Sequence, residues 1–206
     1  MNSARSVVVL VIAMLLSACA STGISPQDRQ SLRRVYIAPI VLPETPFIFK
    51  PGAGGALLLA GPIGFALANA GSDLPTAYRN LLAQNGIDIA EGIRAEFRTQ
   101  LLRKRIEVVS NENEADATLA VDVRQYGMTG DILSDDRYPQ LIASVTLARR
   151  NGDVIWKQLM AAHIAPEVGK QVNARPLADY FNDRALLESR IKQVNQILIS
   201  LALKTL

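Results

Sequence analysis

The chain of 206 residues is 49% hydrophobic, 20% charged and 5% aromatic, with one Cys and one His. So large an apolar share excludes a disordered chain, and a single Cys excludes a disulfide-stapled secreted module. One Cys with one His also leaves little for a metal centre or a thiol–imidazole pair, and no metal site is expected.

Arg5 gives a short positive start, Val7 to Leu16 an apolar core, and Ser17 and Ala18 a small-residue stretch before Cys19. These are the parts of a secretory signal, and the core falls short of the roughly 20 residues a spanning helix needs. Leu16-Ser17-Ala18-Cys19 resembles the lipobox of bacterial lipoproteins. The resemblance implies cleavage between Ala18 and Cys19, a diacylglyceryl group on the thiol and an acyl group on the new amine. It further implies the outer membrane, facing the periplasm, because Ala20 rather than Asp follows the Cys. Each buried methylene contributes about 0.8 kcal/mol, so two or three chains on one residue make a lasting anchor. Beyond that covalent lipid on Cys19, no cofactor is expected.

Losing residues 1–18 removes Arg5 from the 22 basic residues and leaves the 19 acidic ones untouched. So small a positive excess, with no Lys/Arg cluster interleaved with aromatics, sets nucleic acid aside as a partner. The expected partners are the membrane, through the lipid, and envelope proteins, a second copy of the chain included.

Residues 1–18 read as leader, 19–32 as a flexible tether and 33–206 as one periplasmic domain. Within that domain 43–72 form an apolar Gly/Pro-rich insertion. Arg34 to Leu42 predicts a strand, which Pro39 either places at an edge or ends. From Ala53 to Ala68 there is no polar side chain. Two readings of that stretch stand side by side: a buried segment against the sheet, or a membrane- or partner-contacting surface. The contact residues would be Leu57, Leu58, Leu59, Ile63, Phe65 and Leu67. A run this apolar must be covered by something.

Ala77 to Gln84 predicts a helix stopped by Asn85-Gly86. Asp88 with Glu91 gives a capping box for a helix over 89–105, whose stripe is Ile89, Ile93, Phe97 and Leu101. Arg98, Arg103, Lys104 and Arg105 fit its solvated face and last turn. Strands follow at 106–110 and 118–126, the second with Leu119, Val121 and Val123 on one face and Asp122 and Arg124 on the other. Residues 127–139 read as a loop. Asn151-Gly152 predicts a two-residue type I′ turn that sets Leu147 opposite Trp156, Val145 opposite Gln158 and Ala143 opposite Met160. Residues 166–176 read as a loop, and Asn182 or Asp183 caps a final helix carrying Leu187, Ile191, Val194, Leu198 and Leu201. The expected fold class is α+β: two layers, a mostly antiparallel sheet with helices packed on one face.

In order and spacing, Val35-Tyr36-Ile37-Ala38-Pro39-Ile40, Leu101-Leu102, Ala115-Asp116-Ala117-Thr118-Leu119 and Gly152-Asp153-Val154-Ile155-Trp156 form a pattern. It is similar to the periplasmic lipoproteins related to the TolB amino-terminal domain, to the curli-secretion lipoprotein and to related lipoprotein families of unknown function. The resemblance implies a binding and assembly module in envelope biogenesis, transport or secretion. The segment 53–68 does not match the amphipathic hairpins of the curli channel.

No catalytic residue is expected. His163 stands alone at a strand end, Asp135-Asp136 sit in a polar loop and Asp122 faces water. No Gly-x-Ser-x-Gly, Ser-x-x-Lys or His-Glu-x-x-His is present. The alternative function is a lipid- or glycan-carrying accessory protein, with Leu57, Leu58, Ile63 and Phe65 lining a closed cavity.

Overall fold

The structure, a computed structural model, describes residues 23–49, 73–130 and 136–206. Ser25 opens helix α1 (Pro26–Ser31), its hydroxyl accepting the Asp28 N–H at 3.1 Å, with Pro26 where a missing N–H costs nothing. The stretch expected to be a tether as far as residue 32 is therefore ordered from here, and Ile24 and Leu32 are buried in the core.

Strand β1 (Arg34–Ile37) ends before Pro39 and lies between two parallel neighbours, β3 (Glu107–Val109) and β4 (Ala117–Gly130). Pro39 thus ends the pairing and does not mark an edge. A two-residue strand β2 (Phe47–Ile48) falls inside the expected insertion and pairs parallel with the far half of β4. The order across the sheet is β3-β1-β4-β5-β6, where β5 is Asp136–Arg149 and β6 is Val154–Ala161. A short β7 (Arg175–Pro176) pairs with the start of β5. The β4–β5 and β5–β6 ladders are antiparallel and carry most of the pairing.

The loop expected at 127–139 is a correction. β4 runs on to Gly130 and β5 begins at Asp136, so the two strands form one long hairpin. The reason it was illegible is a change of phase. A bulge between Val123 and Gln125 inserts Arg124, so the inward set passes from Leu119, Val121 and Val123 to Tyr126 and Met128. Alternation read straight through would turn the second half of the strand inside out.

The β5–β6 turn differs in kind from the one expected. Gly152 N–H bonds the Arg149 carbonyl at 2.9 Å, and Gly152 alone of Asn151-Gly152 has positive φ, at 89°. A type I′ turn needs both, so this is a three-residue loop closed by a left-handed glycine. A register shift beside Ala148 then compensates for the extra residue, and Leu147 faces Trp156, Val145 faces Gln158 and Ala143 faces Met160 as expected.

Among the described residues, helices cover one face of the sheet. Asp73 caps α2 (Leu74–Gln84), accepting the Thr76 N–H at 2.9 Å; Asp88 caps α3 (Ile89–Arg103), accepting the Glu91 N–H at 2.9 Å. The Glu91 carboxylate completes no capping box and lies 3.6 Å from Arg94 instead. The α3 stripe Ile89, Ile93, Phe97 and Leu101 is fully buried. The loop expected at 166–176 holds helix α4 (Pro166–Gln171), and α5 (Leu177–Asn182) precedes the long α6 (Arg184–Leu203), capped by Asp183. Helix α6 lies over β5 and β6 beside α3. Thr205, just past its end, accepts the Trp156 indole N–H and a Gln158 amide N–H, both at 2.9 Å. On the other face Ala120, Asp122 and Arg124 are exposed. The class is α+β, with one sheet and helices packed on it.

Gly127 is fixed by space. Its φ is +141°, and a Cβ there would stand 1.9 Å from the Phe47 carbonyl oxygen. Gly127→Ala is expected to destabilise the domain by about 3 kcal/mol in urea unfolding, with β2 released; a change under about 0.5 kcal/mol would contradict the close approach.

Candidate functional site: a free strand edge and the root of the apolar segment

The sequence-derived contact residues Leu57, Leu58, Leu59, Ile63, Phe65 and Leu67 lie outside the described residues, as do Ala18 and Cys19. What the structure places is the root from which that segment departs. The Phe49 N–H bonds the Met128 carbonyl at 3.0 Å, continuing the β2 pairing. Arg137, fully buried, donates from Nε to the Phe49 carbonyl at 3.3 Å and from Nη1 to the Asp136 carbonyl at 2.7 Å. Its guanidinium stands 5.4 Å from the centroid of the Phe49 ring, a cation–π arrangement. The Tyr180 hydroxyl donates to the Arg137 carbonyl at 2.8 Å, and burial pushes the phenol up to about 12. Sequence reasoning missed Arg137 because Asp136 to Pro139 carries no clean alternation, and a buried Arg in a stretch read as loop leaves no signal.

Strand β6 is the second feature. It pairs with β5 along one side, and among the described residues nothing pairs its other side. Eight residues of edge carry outward backbone groups that can accept another strand. Beside it Val154 and Leu159 are each 55% exposed, and Ile164 is 62% exposed. Lys157, on the open face, is the charged residue that interrupts this apolar border.

Among the described residues, His163, Asp136 and Asp122 stand at separate places. His163 lies in a short 3₁₀ turn, its Nδ1 3.2 Å from the Gln140 amide nitrogen, with no carboxylate in that contact. Asp136 opens β5, while Asp135 lies outside the described residues. Asp122 faces water beside Arg124, at 3.4 Å. Among the described residues no three His, Cys, Asp or Glu side chains group as metal ligands, and no helix is long and apolar enough to cross a membrane.

No known protein family matches the sequence, and no curated protein does. The structure is similar to a PelC variant from Paraburkholderia phytofirmans solved as a dodecamer, 12% identical over 90% of this chain and 93% of that one, with a TM-score of 0.38. It is also similar to lipoprotein GNA1162 from Neisseria meningitidis, 20% identical over 74% of this chain and 98% of that one, with a TM-score of 0.24. At these scores neither likeness carries a function across.

Two carboxylates lock the pole where the chain enters the domain. Burial raises the Asp116 carboxyl, but the backbone N–H groups of Arg33 and Arg34, at 2.9 and 2.8 Å, and the charges of Arg34 and Arg150 hold it below the ordinary 3.8. The Ser25 hydroxyl, then Arg149, does the same for Asp28 against its desolvation. Depressed carboxyls stabilise the fold above about pH 4, and that contribution is lost as pH falls through their folded values. Asp116→Ala is expected to cost about 2 kcal/mol at pH 7 and clearly less at pH 2.5. Equal losses at both pH values in urea titrations would contradict the ionised contact.

Proposed function

We propose that this chain is a lipid-anchored outer-membrane lipoprotein whose periplasmic domain is a non-catalytic binding and assembly module of the envelope. The observation that carries the reading is the β6 edge, unpaired among the described residues, with its exposed Val154 and Leu159. A module that works by surface needs an adhesive edge and a fixed position, and the leader supports the second. Cys19, the single Cys, ends a lipobox-like Leu16-Ser17-Ala18.

Ile24 is already buried in the core, so only five residue steps lead from the lipid-bearing position to the folded domain. Fully extended they reach about 17 Å. Helix α1 is held by the Asp28–Arg149 ion pair and by Arg29 donating to the Thr205 carbonyl at 3.4 Å. A leash this short keeps the α1 pole toward the bilayer and leaves the β6 edge reachable from the periplasm.

Protein taken from its native membranes is expected to begin at Cys19 and to carry diacylglyceryl plus N-acyl mass. Cys19→Ala is expected to retain the leader and to gain no acyl mass. Native protein with a free thiol and an intact leader would overturn the anchor.

A further inference from the structure

A groove of about 440 Å³ runs between α3 and α6, lined by residues within 86–99 and 188–195. Its floor holds Gly92, Ala95 and Asn195. Glycine is the least favourable residue in a helix interior after proline, so Gly92 needs a reason. Packing inside the domain supplies none: a Cβ at Gly92 would meet only Asn195 Nδ2, at 3.7 Å, an ordinary contact. Its bareness keeps the groove open for something that approaches closely.

Asn195 gives a second, separate sign. It is 4% exposed, set among Ile191, Val194 and Leu198, and its amide makes no hydrogen bond to the described residues while lining the groove. Its amide opens onto the groove, where a polar group of an occupant can bond it. Around this floor stand Asp88, Glu91, Glu96 and Glu188 with Lys192; Glu91 is paired with Arg94 at 3.6 Å and Glu188 with Arg184 at 3.8 Å, and Asp88 and Glu96 form no ion pair with the described residues.

The other end of α3 shows the converse. Leu102 is 55% exposed, and Arg103, Lys104 and Arg105 beside it form no ion pair with the described residues. Desolvation, and then the nearby Arg29, hold the Lys104 amine below its usual value. An apolar knob ringed by cations matches a small-residue floor ringed by acids. The two lie about 15 Å apart along one helix, so they cannot meet within a molecule.

We propose that Leu102, with Arg103, Lys104 and Arg105, seats in the α3–α6 groove of a second copy of this chain, head to tail. Such a contact is heterologous and repeats from copy to copy, closing a ring or extending a filament. It is independent of the lipid anchor and of the β6 edge.

The test is zero-length carbodiimide crosslinking of the full protein in nonionic detergent, on an equal mixture of ¹⁴N and ¹⁵N copies. Isotopically mixed links from Lys104 to Asp88, Glu91, Glu96 or Glu188 are expected, fading at high salt. Gly92→Leu, which keeps a good helix former, is expected to melt no lower than wild type and to weaken self-association by about thirtyfold, a hot-spot loss. Should that variant misfold, a charge swap decides. Arg103→Glu/Lys104→Glu alone and Glu91→Lys/Glu188→Lys alone are each expected to be monomeric, and association is expected to return on mixing them. A wild-type monomer without mixed Lys104 links would overturn the proposal, as would an assembly unchanged in the Gly92 variant or a swap pair that stays apart when mixed.

Discussion

The rest of the structure depends on the phase of one long hairpin. Strands β4 and β5 run fourteen residues each and offer the helices a single face, so their side chains must keep that face along the whole length. The Arg124 bulge makes this possible. It shifts the inward set by one just where Tyr126 and Met128 take over from Val123, and without it either half of β4 would turn its apolar set to water. The same phase brings Gly127 against Phe47, and so fixes where β2 docks and where the apolar segment 53–68 departs.

With the covered face committed to α3 and α6, what is left over becomes the interaction surface. Among the described residues the sheet keeps an eight-residue edge at β6 and a three-residue one at β3, one open face with Asp122 and Arg124, and a helical layer that carries a groove. The α1 pole is held by the Asp116 and Asp28 locks. In the proposed reading one pole positions the domain, and the edge and the helical layer bind.

Much of this was legible from residue spacing. The α3 stripe, the Asp88 and Asp183 caps and the β5–β6 pairing all rest on local chemistry that tertiary contacts reinforce. The hairpin is instructive because its turn was misread and its register was right: a three-residue loop and a compensating register shift give the same cross-strand pairs as a two-residue turn. What escaped needed non-local information. The Arg124 bulge, the buried Arg137 and the ordered α1 are set by partners far away in sequence, such as Phe49, Tyr180 and Arg149. The contact residues Leu57 to Leu67 lie outside the described residues, so the choice between core and contact surface for 53–68 rests on sequence alone. Asn195 was hidden in an apolar stripe, where one amide leaves no periodic trace.

The central claim is that this domain acts by surface contact through the β6 edge. Photocrosslinking in intact cells, with the reactive side chain placed at Leu159 and, as a control, at Glu167 on α4, tests it most directly. The expected result is a discrete protein adduct from Leu159 that is absent from Glu167 and is lost when Lys157→Pro removes an outward edge N–H. Equal labelling from both positions, or none from Leu159 in cells where the protein sits in its native membrane, would contradict the claim.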